Sequence, residues 1–438
     1  MTDLAAHPSL VVSPQDSLAD HPISVVVDGL RPGQRLTVTS QLCKIKDTGW
    51  ATTASFIADA NGRTDLSQVA PDAGDFAIAD ANALLWALRP SWKGAGRAPG
   101  SGTDAWDVTI QAETKEWTSE PVRLTRRFLA DGVVVREIRD PGLVANLFLP
   151  PGTGPHPTVL VVSGSGGGFA DTTAALYASH GYAALSLAYF NAPGLPDELL
   201  NIPLEYFANA IAWIERQPEL DADHLGISGT SRGGELALLL ASRHPKLRFV
   251  IAYVPSSHVW GAVSRADGPD AGDAFPSWTH DGQPIAYAGR VRNDDVTPEP
   301  DGSLTLTPSF HRYLQDTEQA DAAAIAVERI NGPVLLISGQ DDALWPSTWF
   351  GERIVDRLRR HRFEHAYTHL AYDGAGHAIG PRYAPTTVNS SFHDVRKVTI
   401  NLGGSPVANA LACDDSWDQV LRFLEVHAAR LAAPVTTR

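Results

Sequence analysis

The segment Leu225–Ala241 has the residue types and spacing of a nucleophile site, with Ser231 at its centre. An apolar run ends at Gly229, and Gly233 leads into an Ala/Leu-rich stretch, which predicts a strand, a tight turn and a helix. Gly-x-Ser-x-Gly alone also occurs in ordinary turns, but a strand before it and a helix after it favour a strained, reactive serine. We therefore predict that Ser231 is a nucleophile at the carboxyl edge of a sheet.

Two backbone segments are candidates for binding the oxyanion that attack by this serine would create. The N–H of Arg232 lies at the predicted helix start, where helix geometry leaves it without an acceptor. The second segment is Gly164–Gly168, which follows a buried strand predicted for Thr158–Ser163. This loop matches neither Gly-x-Gly-x-x-Gly nor a P-loop, so we expect no nucleotide cofactor and assign Gly166 and Gly167 as oxyanion donors.

An acid and a histidine follow the serine in the chain order of a Ser-Asp-His triad. Val334–Ser338 predicts a buried strand, and Asp342 comes three residues after Gly339, where an acid can orient a histidine. Asp341 is the alternative, with a turn-bonding role if Asp342 is the acid. His377 ends a Gly-Ala-Gly-His loop after a further predicted helix and strand, so we assign it as general base and then general acid.

Three other histidines, His361, His365 and His369, recur every four residues, the spacing that aligns metal ligands on a helix. The chain from Tyr367 onward has the pattern of a strand, which would separate these side chains. We therefore expect no metal site.

Composition limits the classes of function. The chain has 438 residues, of which 43% are hydrophobic, enough to build two or three domain cores. Its formal net charge of −15 argues against nucleic-acid partners and against docking on anionic membranes. Cys43 and Cys413 lie far apart and offer no disulfide framework. Neither a secretory signal, nor a peroxisomal terminus, nor a membrane-spanning apolar run is apparent, so we predict a cytoplasmic location.

Residues 1–130 contain short β-branched or alternating segments separated by turns such as Asp28-Gly29 and Asn61-Gly62. This pattern predicts an N-terminal antiparallel β-sandwich, with a loop over Lys93–Thr103. The predicted strands are Ile23–Val27, Leu36–Leu42, Thr52–Ile57, Val108–Ala112 and Val122–Phe128.

Residues 131–438 alternate between strand and helix patterns, which predicts a mostly parallel sheet with helices on both faces. Val133–Ile138 and Val144–Leu149 indicate a hairpin or two edge strands at its start. The remaining elements include helices over Thr172–His180, Leu204–Arg216 and Thr348–Arg359, and strands over Ala183–Leu187, Phe249–Val254 and Ala366–Tyr372. With the serine turn, this α/β pattern predicts an α/β-hydrolase fold following the sandwich.

The alternation lapses between Pro255 and Asp321, where the chain is rich in Pro, Gly, Asp and aromatic residues. Long irregular segments inside compact domains are often lids or binding loops. We predict a cap-like insertion over about residues 256–321 that helps to shape an acyl pocket. A surface excursion with its own small core is the alternative.

Several runs along nearly the whole chain match the motifs of one family. They are Gly29–Gln34, Leu84–Pro90, Gly166–Gly168, Leu187–Asn191, Leu204–Phe207, Gly229–Leu236, Gly339–Asp342, Gly376–His377, Gly403–Gly404 and the helix around Trp417. On these residues the chain resembles the acyl-CoA thioesterase and bile acid-CoA:amino acid N-acyltransferase family. The resemblance implies a β-sandwich followed by an α/β-hydrolase domain, and acyl transfer from an acyl-CoA or acyl-carrier thioester.

The family's triad motifs match Ser231, Asp342 and His377, whereas members that conjugate amino acids carry cysteine at the position of this serine. An oxygen-ester acyl-enzyme is attacked less readily by an amine than a thioester one, so serine favours water as acceptor. We therefore predict hydrolysis of acyl-CoA to free acid and CoA. An acyltransferase or carrier-protein thioesterase, and an esterase or amidase with the same triad, are the alternatives.

Coenzyme A carries phosphates that basic side chains could bind. Arg126, Arg127 and Arg232 are candidates for this role, with plain surface charge as the stronger interpretation.

Overall fold

In the computed structural model the chain forms two compact units, residues 1–128 with 381–388, and residues 129–380 with 389–438. The structure describes residues 7–42, 49–90, 102–264 and 275–428. The predicted loop over Lys93–Thr103 and Cys43 therefore lie largely or wholly outside the described residues, as do residues 265–274 of the predicted insertion. The sequence predicted one cut near residue 130 and gave no sign that residues 381–388 group with the first unit.

The first unit consists mainly of β strands in two sheets. Its elements are β1 (Ser9–Ser13), β2 (Asp16–Leu18), β3 (Ser24–Asp28), β4 (Arg35–Leu42), β5 (Trp50–Ile57), β6 (Thr64–Asp65), β7 (Ala73–Gly74), helix α1 (Ala83–Trp86), β8 (Arg89–Pro90), β9 (Trp106–Glu113) and β10 (Val122–Arg127). The sheet orders are β1-β3-β6 and β2-β10-β9-β4-β5-β7, with β8 also paired to β5. Every second residue of β5 from Trp50 to Phe56 is buried, so one face of its sheet supplies the core.

The prediction of a strand-rich N-terminal domain is confirmed, with one correction to its pairing. The strands β2 and β10 run parallel, with Thr125 opposite Asp16, whereas an antiparallel arrangement was expected throughout. No hairpin turn joins two strands so far apart in sequence, so nothing local imposes the antiparallel direction.

The second unit alternates strands and helices along the chain. Its elements are β11 (Val134–Ile138), β12 (Ala145–Leu149), β13 (His156–Val162), α2 (Asp171–Ser179), β14 (Ala183–Leu187), β15 (Ile202–Pro203), α3 (Leu204–Glu215), β16 (Leu220–Thr230), α4 (Arg232–Ala241), β17 (Val250–Tyr253), β18 (Trp278–His280), β19 (Gln283–Pro284), α5 (Thr307–Tyr313), α6 (Thr317–Ala323), β20 (Val334–Gly339), α7 (Ser347–Arg360), β21 (Tyr367–Tyr372), β22 (Ser390–His393), β23 (Val398–Asn401) and α8 (Pro406–His427).

Eight of these strands form one sheet in the order β11-β12-β14-β13-β16-β17-β20-β21. The strands β11 and β12 form the predicted hairpin, β12 pairs antiparallel with β14, and all later pairs are parallel. Every residue of β14, β17 and β20 is buried, as expected for strands covered on both faces. The predicted α/β-hydrolase fold is confirmed, and the carboxyl ends of β13, β16, β17, β20 and β21 meet at one edge of the sheet.

The predicted insertion contains short elements, β18, β19, α5 and α6, and a buried aromatic cluster. Trp260 and Phe310 pack edge to face with ring centroids 4.6 Å apart, and Phe310 packs in the same way on Trp345. Phe350 contacts both tryptophans. Because Trp345 and Phe350 come from outside the insertion, its small core is shared with the main body of the second unit.

Candidate active site

Ser231 occupies a strained turn between β16 and α4. Its φ of 59° and ψ of −121° lie in a region that non-glycine residues rarely adopt, at a cost of about 1–3 kcal/mol. Its N–H is held by the carbonyl of Tyr253 at 2.9 Å. A Cβ at Gly229 would overlap the carbonyl of Gly233, and one at Gly233 would overlap the carbonyl of Ser163. The two glycines are therefore needed for the close passage of strand and helix that the sequence predicted.

Asp342 follows β20 and His377 follows β21, and their side chains meet. The His377 Nδ1 lies 2.8 Å from one carboxylate oxygen of Asp342, and both residues are buried. The other carboxylate oxygen accepts the N–H groups of Leu344 and Trp345 at 3.0 and 3.1 Å. The structure thus brings Asp342 to the imidazole, while the alternative acid, Asp341, is exposed. A carboxylate at Nδ1 favours the tautomer in which Nε2 is the basic nitrogen.

A short chain of contacts connects Ser231 to His377. The N–H of Ser231 bonds to Tyr253, and the carbonyl of the next residue, Val254, accepts the indole N–H of Trp345 at 2.9 Å. The Trp345 ring packs edge to face on the His377 ring, with centroids 5.9 Å apart. The side chains of Ser231 and His377 are not hydrogen-bonded to each other. The Nε2 atom of His377 is buried and has no hydrogen-bond partner among the described residues. The basic nitrogen is therefore unused in this structure.

The glycine loop lies beside the serine, since a Cβ built on Gly164 would be 3.4 Å from the Ser231 Cβ. The N–H of Gly167 donates to the carbonyl of Gly164 at 3.1 Å. This N–H already closes a turn in the structure, and the predicted role of Gly167 as an oxyanion donor stays a prediction. Within the described chain the N–H groups of Gly166 and Arg232 have no hydrogen-bond acceptor. They are the two predicted donors that the structure leaves available.

The run Ala188–Asn191, one of the segments that carried the family resemblance, holds the glycine loop in place. The Asn191 side chain donates to the carbonyl of Gly166 at 2.7 Å, and the Phe190 carbonyl accepts the N–H of Gly168 at 2.9 Å. Gly167 has a φ of +67°, and a Cβ there would lie 2.7 Å from the Asn191 Cβ. The loop therefore needs glycine at this position.

The Arg232 side chain forms a buried ion pair with Glu235 at 2.6 Å. It also bonds to the carbonyl of Trp260 at 2.8 Å and to the Ser277 hydroxyl. Glu235 accepts the indole N–H of Trp278 at 2.9 Å. Burial raises the pKa of Glu235 to about 7 against the opposing effect of Arg232. These contacts connect the helix that follows Ser231 to the insertion.

The three arginines considered for coenzyme A phosphates have other partners. Arg126 is only 1% exposed and donates to Ser17 and to the Ala19 carbonyl at 2.7 and 2.9 Å. Burial lowers its pKa to about 10. Arg127 pairs with Asp16 at 2.6 Å. Arg126 and Arg232 are therefore structural groups, and the interpretation of either as plain surface charge is wrong.

The three evenly spaced histidines do not share a site. His369 Nε2 lies 2.8 Å from the Ser338 hydroxyl, and burial lowers its pKa to about 4. Within the described ranges, the group of side chains with metal-ligand spacing is Glu205, His280 and Asp281, which contains none of the three.

A cavity of about 460 Å³ lies at the far end of α4 from the serine. Its lining includes Leu239, Arg243 and Val259. Ser231 precedes the first residue of this 10-residue helix, and such a helix is about 15 Å long. The cavity is thus separate from the groups at the sheet edge, and the role of the insertion in an acyl pocket stays a prediction.

Sequence reasoning missed several residues around these groups. Trp345 contacts His377, and its one sequence signal was its position three residues after Asp342. Glu235 and His393 gave no signal, because Trp278, which donates to Glu235, and Ser165, which contacts His393, come from distant parts of the chain. The His393 contact is with Ser165, inside the glycine loop.

Two family models match the chain. The model described as BAAT/acyl-CoA thioester hydrolase C terminal matches residues 202–430, and the acyl-CoA thioester hydrolase/BAAT N-terminal region matches residues 20–140.

Similar proteins match over nearly their whole length. Peroxisomal succinyl-coenzyme A thioesterase of Mus musculus is 30% identical over 420 residues, covering 93% of this chain and 94% of that protein. Mitochondrial acyl-coenzyme A thioesterase 2 of Mus musculus is 31% identical over 424 residues, 95% and 88% of the respective chains. Acyl-coenzyme A amino acid N-acyltransferase 1 of Mus musculus is 30% identical over 430 residues, 95% and 97%.

These names include peroxisomal and mitochondrial proteins, so the cytoplasmic location stays a prediction. Across the described residues, no helix is long and apolar enough to cross a membrane.

Proposed function

The chain belongs to the BAAT/acyl-CoA thioester hydrolase family, and we propose that it is a serine hydrolase that cleaves acyl-CoA to free acid and CoA. The observation that carries the proposal is the Asp342–His377 pair, 2.8 Å apart, with an unpartnered Nε2 at the sheet edge that also holds the strained Ser231. A strained serine on the same sheet edge as a basic imidazole nitrogen supports an acyl-transfer mechanism.

In the first half of the reaction, Ser231 Oγ attacks the thioester carbonyl carbon while His377 Nε2 takes the hydroxyl proton. The carboxylate of Asp342 stabilises the resulting imidazolium. The N–H groups of Arg232 and Gly166 bind the tetrahedral oxyanion. Collapse of this intermediate breaks the carbon–sulfur bond, His377 gives its proton to the leaving thiolate, and the acyl group remains as an ester on the serine.

In the second half, His377 takes a proton from water as the water oxygen attacks the acyl-serine. Collapse then releases the free acid and returns the proton to the serine. The Ser231–His377 hydrogen bond forms during this cycle, since catalytic hydrogen bonds often tighten only when substrate is bound.

An amino acid is the second candidate acceptor. The similarity to an acyl-coenzyme A amino acid N-acyltransferase favours it. The serine nucleophile favours water, because an oxygen ester is a weaker acyl donor to an amine than a thioester is. Hydrolysis is therefore the proposed reaction, and amide formation is the outcome that would replace it.

The test incubates the protein with acyl-CoA esters of increasing chain length, with and without glycine or taurine, while free thiol and product mass are followed. We expect thiol release with free acid as the sole acyl product. An amide product would identify an acyltransferase, and cleavage of simple esters without thioesters would identify an esterase. A parallel assay with the same acyl group attached to a carrier protein distinguishes an acyl-CoA thioesterase from a carrier-protein thioesterase.

The matched control is Ser231→Ala. It should lower kcat by about 10⁵-fold or more while the protein stays folded, as loss of a triad serine does elsewhere. Turnover that survives this substitution would refute the serine mechanism.

A further inference from the structure

Ser165, inside the glycine loop, is bonded to a histidine from far along the chain. Its hydroxyl oxygen lies 3.0 Å from Nε2 of His393, at the end of β22. The other ring nitrogen of His393, Nδ1, accepts the backbone N–H of Arg396 at 3.2 Å. Because a backbone N–H can only donate, Nδ1 carries no proton in the neutral ring, and Nε2 does. His393 is therefore the donor and the Ser165 oxygen the acceptor.

This assignment leaves the hydrogen of the Ser165 hydroxyl uncommitted. The contact with His393 is its only side-chain hydrogen bond among the residues that the structure describes. A hydroxyl has one donor and two acceptor sites, so accepting from His393 fixes the oxygen while the hydrogen is still free to donate. The residue before it, Gly164, is the one whose built Cβ would be 3.4 Å from the Ser231 Cβ.

We propose that the Ser165 hydroxyl is a side-chain donor to the oxyanion formed at Ser231, and that His393 is the positioning residue that orients it. This inference rests on the proposed acyl-transfer function. It adds a donor to a set in which the N–H of Gly167 is already bonded within the loop. The donors are then the N–H groups of Arg232 and Gly166 and the Ser165 hydroxyl.

His393 lies in the hairpin formed by the antiparallel strands β22 and β23, and several hydrogen bonds fix this hairpin. The Asn293 side chain bonds to the carbonyl and to the guanidinium of Arg396, each at 3.3 Å. The N–H of Asn401 donates to the Leu304 carbonyl at 3.0 Å. Burial also lowers the pKa of His393 to about 4, so the ring is neutral near pH 7. A neutral ring with a fixed tautomer is suited to hold a hydroxyl in one orientation.

The main test compares Ser165→Ala with Ser165→Thr on the acyl-CoA substrate that the wild type hydrolyses best. Removing one oxyanion donor typically lowers kcat by about 10²–10³-fold. We expect a loss of at least about 10-fold for the alanine variant, since two backbone donors remain, with KM changed less than about 3-fold. The threonine variant, which keeps the hydroxyl, should retain most of the activity.

The role of His393 is tested by a double-mutant cycle. In the protein that keeps Ser165, His393→Ala should lower kcat. In the Ser165→Ala variant the same change should lower kcat little further, because the histidine acts through the hydroxyl. His393→Gln, whose amide can still donate to the serine, should recover much of the loss. A purely structural role would instead lower thermal stability in both backgrounds and give additive losses in activity.

Ser231→Ala distinguishes failure of the Ser165 proposal from failure of the proposed function. If that variant is inactive while Ser165→Ala keeps the wild-type kcat, the Ser165 proposal is overturned and the proposed function stands. If Ser165→Ala is too unstable to assay, His393→Ala and His393→Gln are each combined with Ser165→Thr, and their kcat values are compared. Equal kcat for the two histidine variants refutes the orienting role. Turnover by Ser231→Ala would overturn the proposed function itself.

Discussion

The second unit contains two buried acid–base pairs, Arg232–Glu235 in the helix that follows Ser231 and Asp342–His377, and they differ in what they leave unbonded. One oxygen of Glu235 meets Arg232 at 2.6 Å, and its other oxygen accepts both the indole N–H of Trp278 and the backbone N–H of Trp260. Asp342 meets His377 at 2.8 Å, but the far nitrogen of that imidazole has no partner among the described residues. Distance and burial are alike in both pairs. The Arg232 Nε also lacks a partner among the described residues, but a guanidinium N–H can only donate, whereas the far nitrogen of a neutral imidazole can accept a proton. This difference in chemistry distinguishes the pair that is suited to proton transfer.

The carboxylates of the two pairs have different roles. Glu235 bonds groups from three places in the chain and holds the insertion against the helix after Ser231. Asp342 is itself held by the backbone, through N–H groups of residues 344 and 345, so that it can orient one imidazole. Removing the first should cost stability, and removing the second should cost rate.

Among substitutions in the two pairs, the largest effect is expected for Asp342→Asn. The amide keeps the shape of the side chain but no longer favours the tautomer with a basic Nε2, so kcat should fall by about 10⁴-fold, as it does in other triads. Steady-state hydrolysis and thermal melting would measure rate and stability together. Asp341→Asn, which makes the same change on the exposed neighbour, should leave kcat unchanged. A comparable loss in both variants would contradict the assignment of the acid.

Glu235→Ala should have the opposite effect, a loss of stability with little change in kcat. Removing one partner of a buried pair leaves the Arg232 charge unpaired and typically costs about 3–5 kcal/mol of unfolding free energy. Denaturant unfolding would measure the loss, and kcat per folded molecule should stay within about 3-fold of wild type, since Glu235 touches none of the reacting groups.

The companion variant replaces both partners, Arg232→Met with Glu235→Leu, and is assayed for stability alone. Because exchanging a buried pair for apolar residues is often neutral or stabilising, it should recover most of the free energy of unfolding. A loss of rate without a loss of stability in Glu235→Ala would mean that the contrast between the two pairs is wrong.

A pH series with Glu235→Gln sharpens the same contrast. Burial raises the pKa of Glu235 to about 7, so between pH 4.5 and 7 the folded state holds a proton that the unfolded state releases. The folded state therefore binds more protons, and stability falls as pH rises, by at most about 1.4 kcal/mol per pH unit. The glutamine variant lacks this contribution. Relative to it, the wild type should lose stability from pH 4.5 to 7, and an opposite slope would contradict the cause assigned to the shift.

The local parts of the site could be predicted from sequence because their physical causes are local. Gly229 and Gly233 flank Ser231 because each faces a backbone carbonyl at a distance that admits no Cβ. Asp342 was preferred over Asp341 from its spacing after Gly339, and it is the carboxylate that meets His377. The alternation of apolar strands with amphipathic helices likewise determined the order of the hydrolase elements.

The parts that failed depend on partners far away in sequence. Arg126 is buried because Ser17, 109 residues earlier, and neighbouring carbonyls satisfy its guanidinium. An arginine side chain is polar in any pattern, so nothing local indicates that it is buried. His393 meets Ser165 across 228 residues. The direction of the β2–β10 pair also follows from tertiary geometry, because the two strands are far apart in sequence.

The smallest expected effect tests how the orientation of the imidazole is shared between Asp342 and its other neighbour, Trp345. Trp345→Phe keeps an aromatic ring against His377 but removes the indole N–H that bonds to the Val254 carbonyl at 2.9 Å. Loss of one such bond should cost about 1 kcal/mol of unfolding free energy, and a less fixed ring should lower kcat by about 2- to 5-fold with KM unchanged.

The matched control is Trp349→Phe, the same substitution at a tryptophan that stacks on His258. It should leave kcat at the wild-type value, because the described ring contacts of Trp349 are with His258, His311, Phe350 and Arg353, and none of these is a proposed triad residue. If the two variants lose rate equally, Trp345 has no special part in orienting His377. A loss at Trp345→Phe approaching that of Asp342→Asn would mean that the carboxylate alone does not fix the imidazole, and that the reactive pair is in physical terms a group of three side chains.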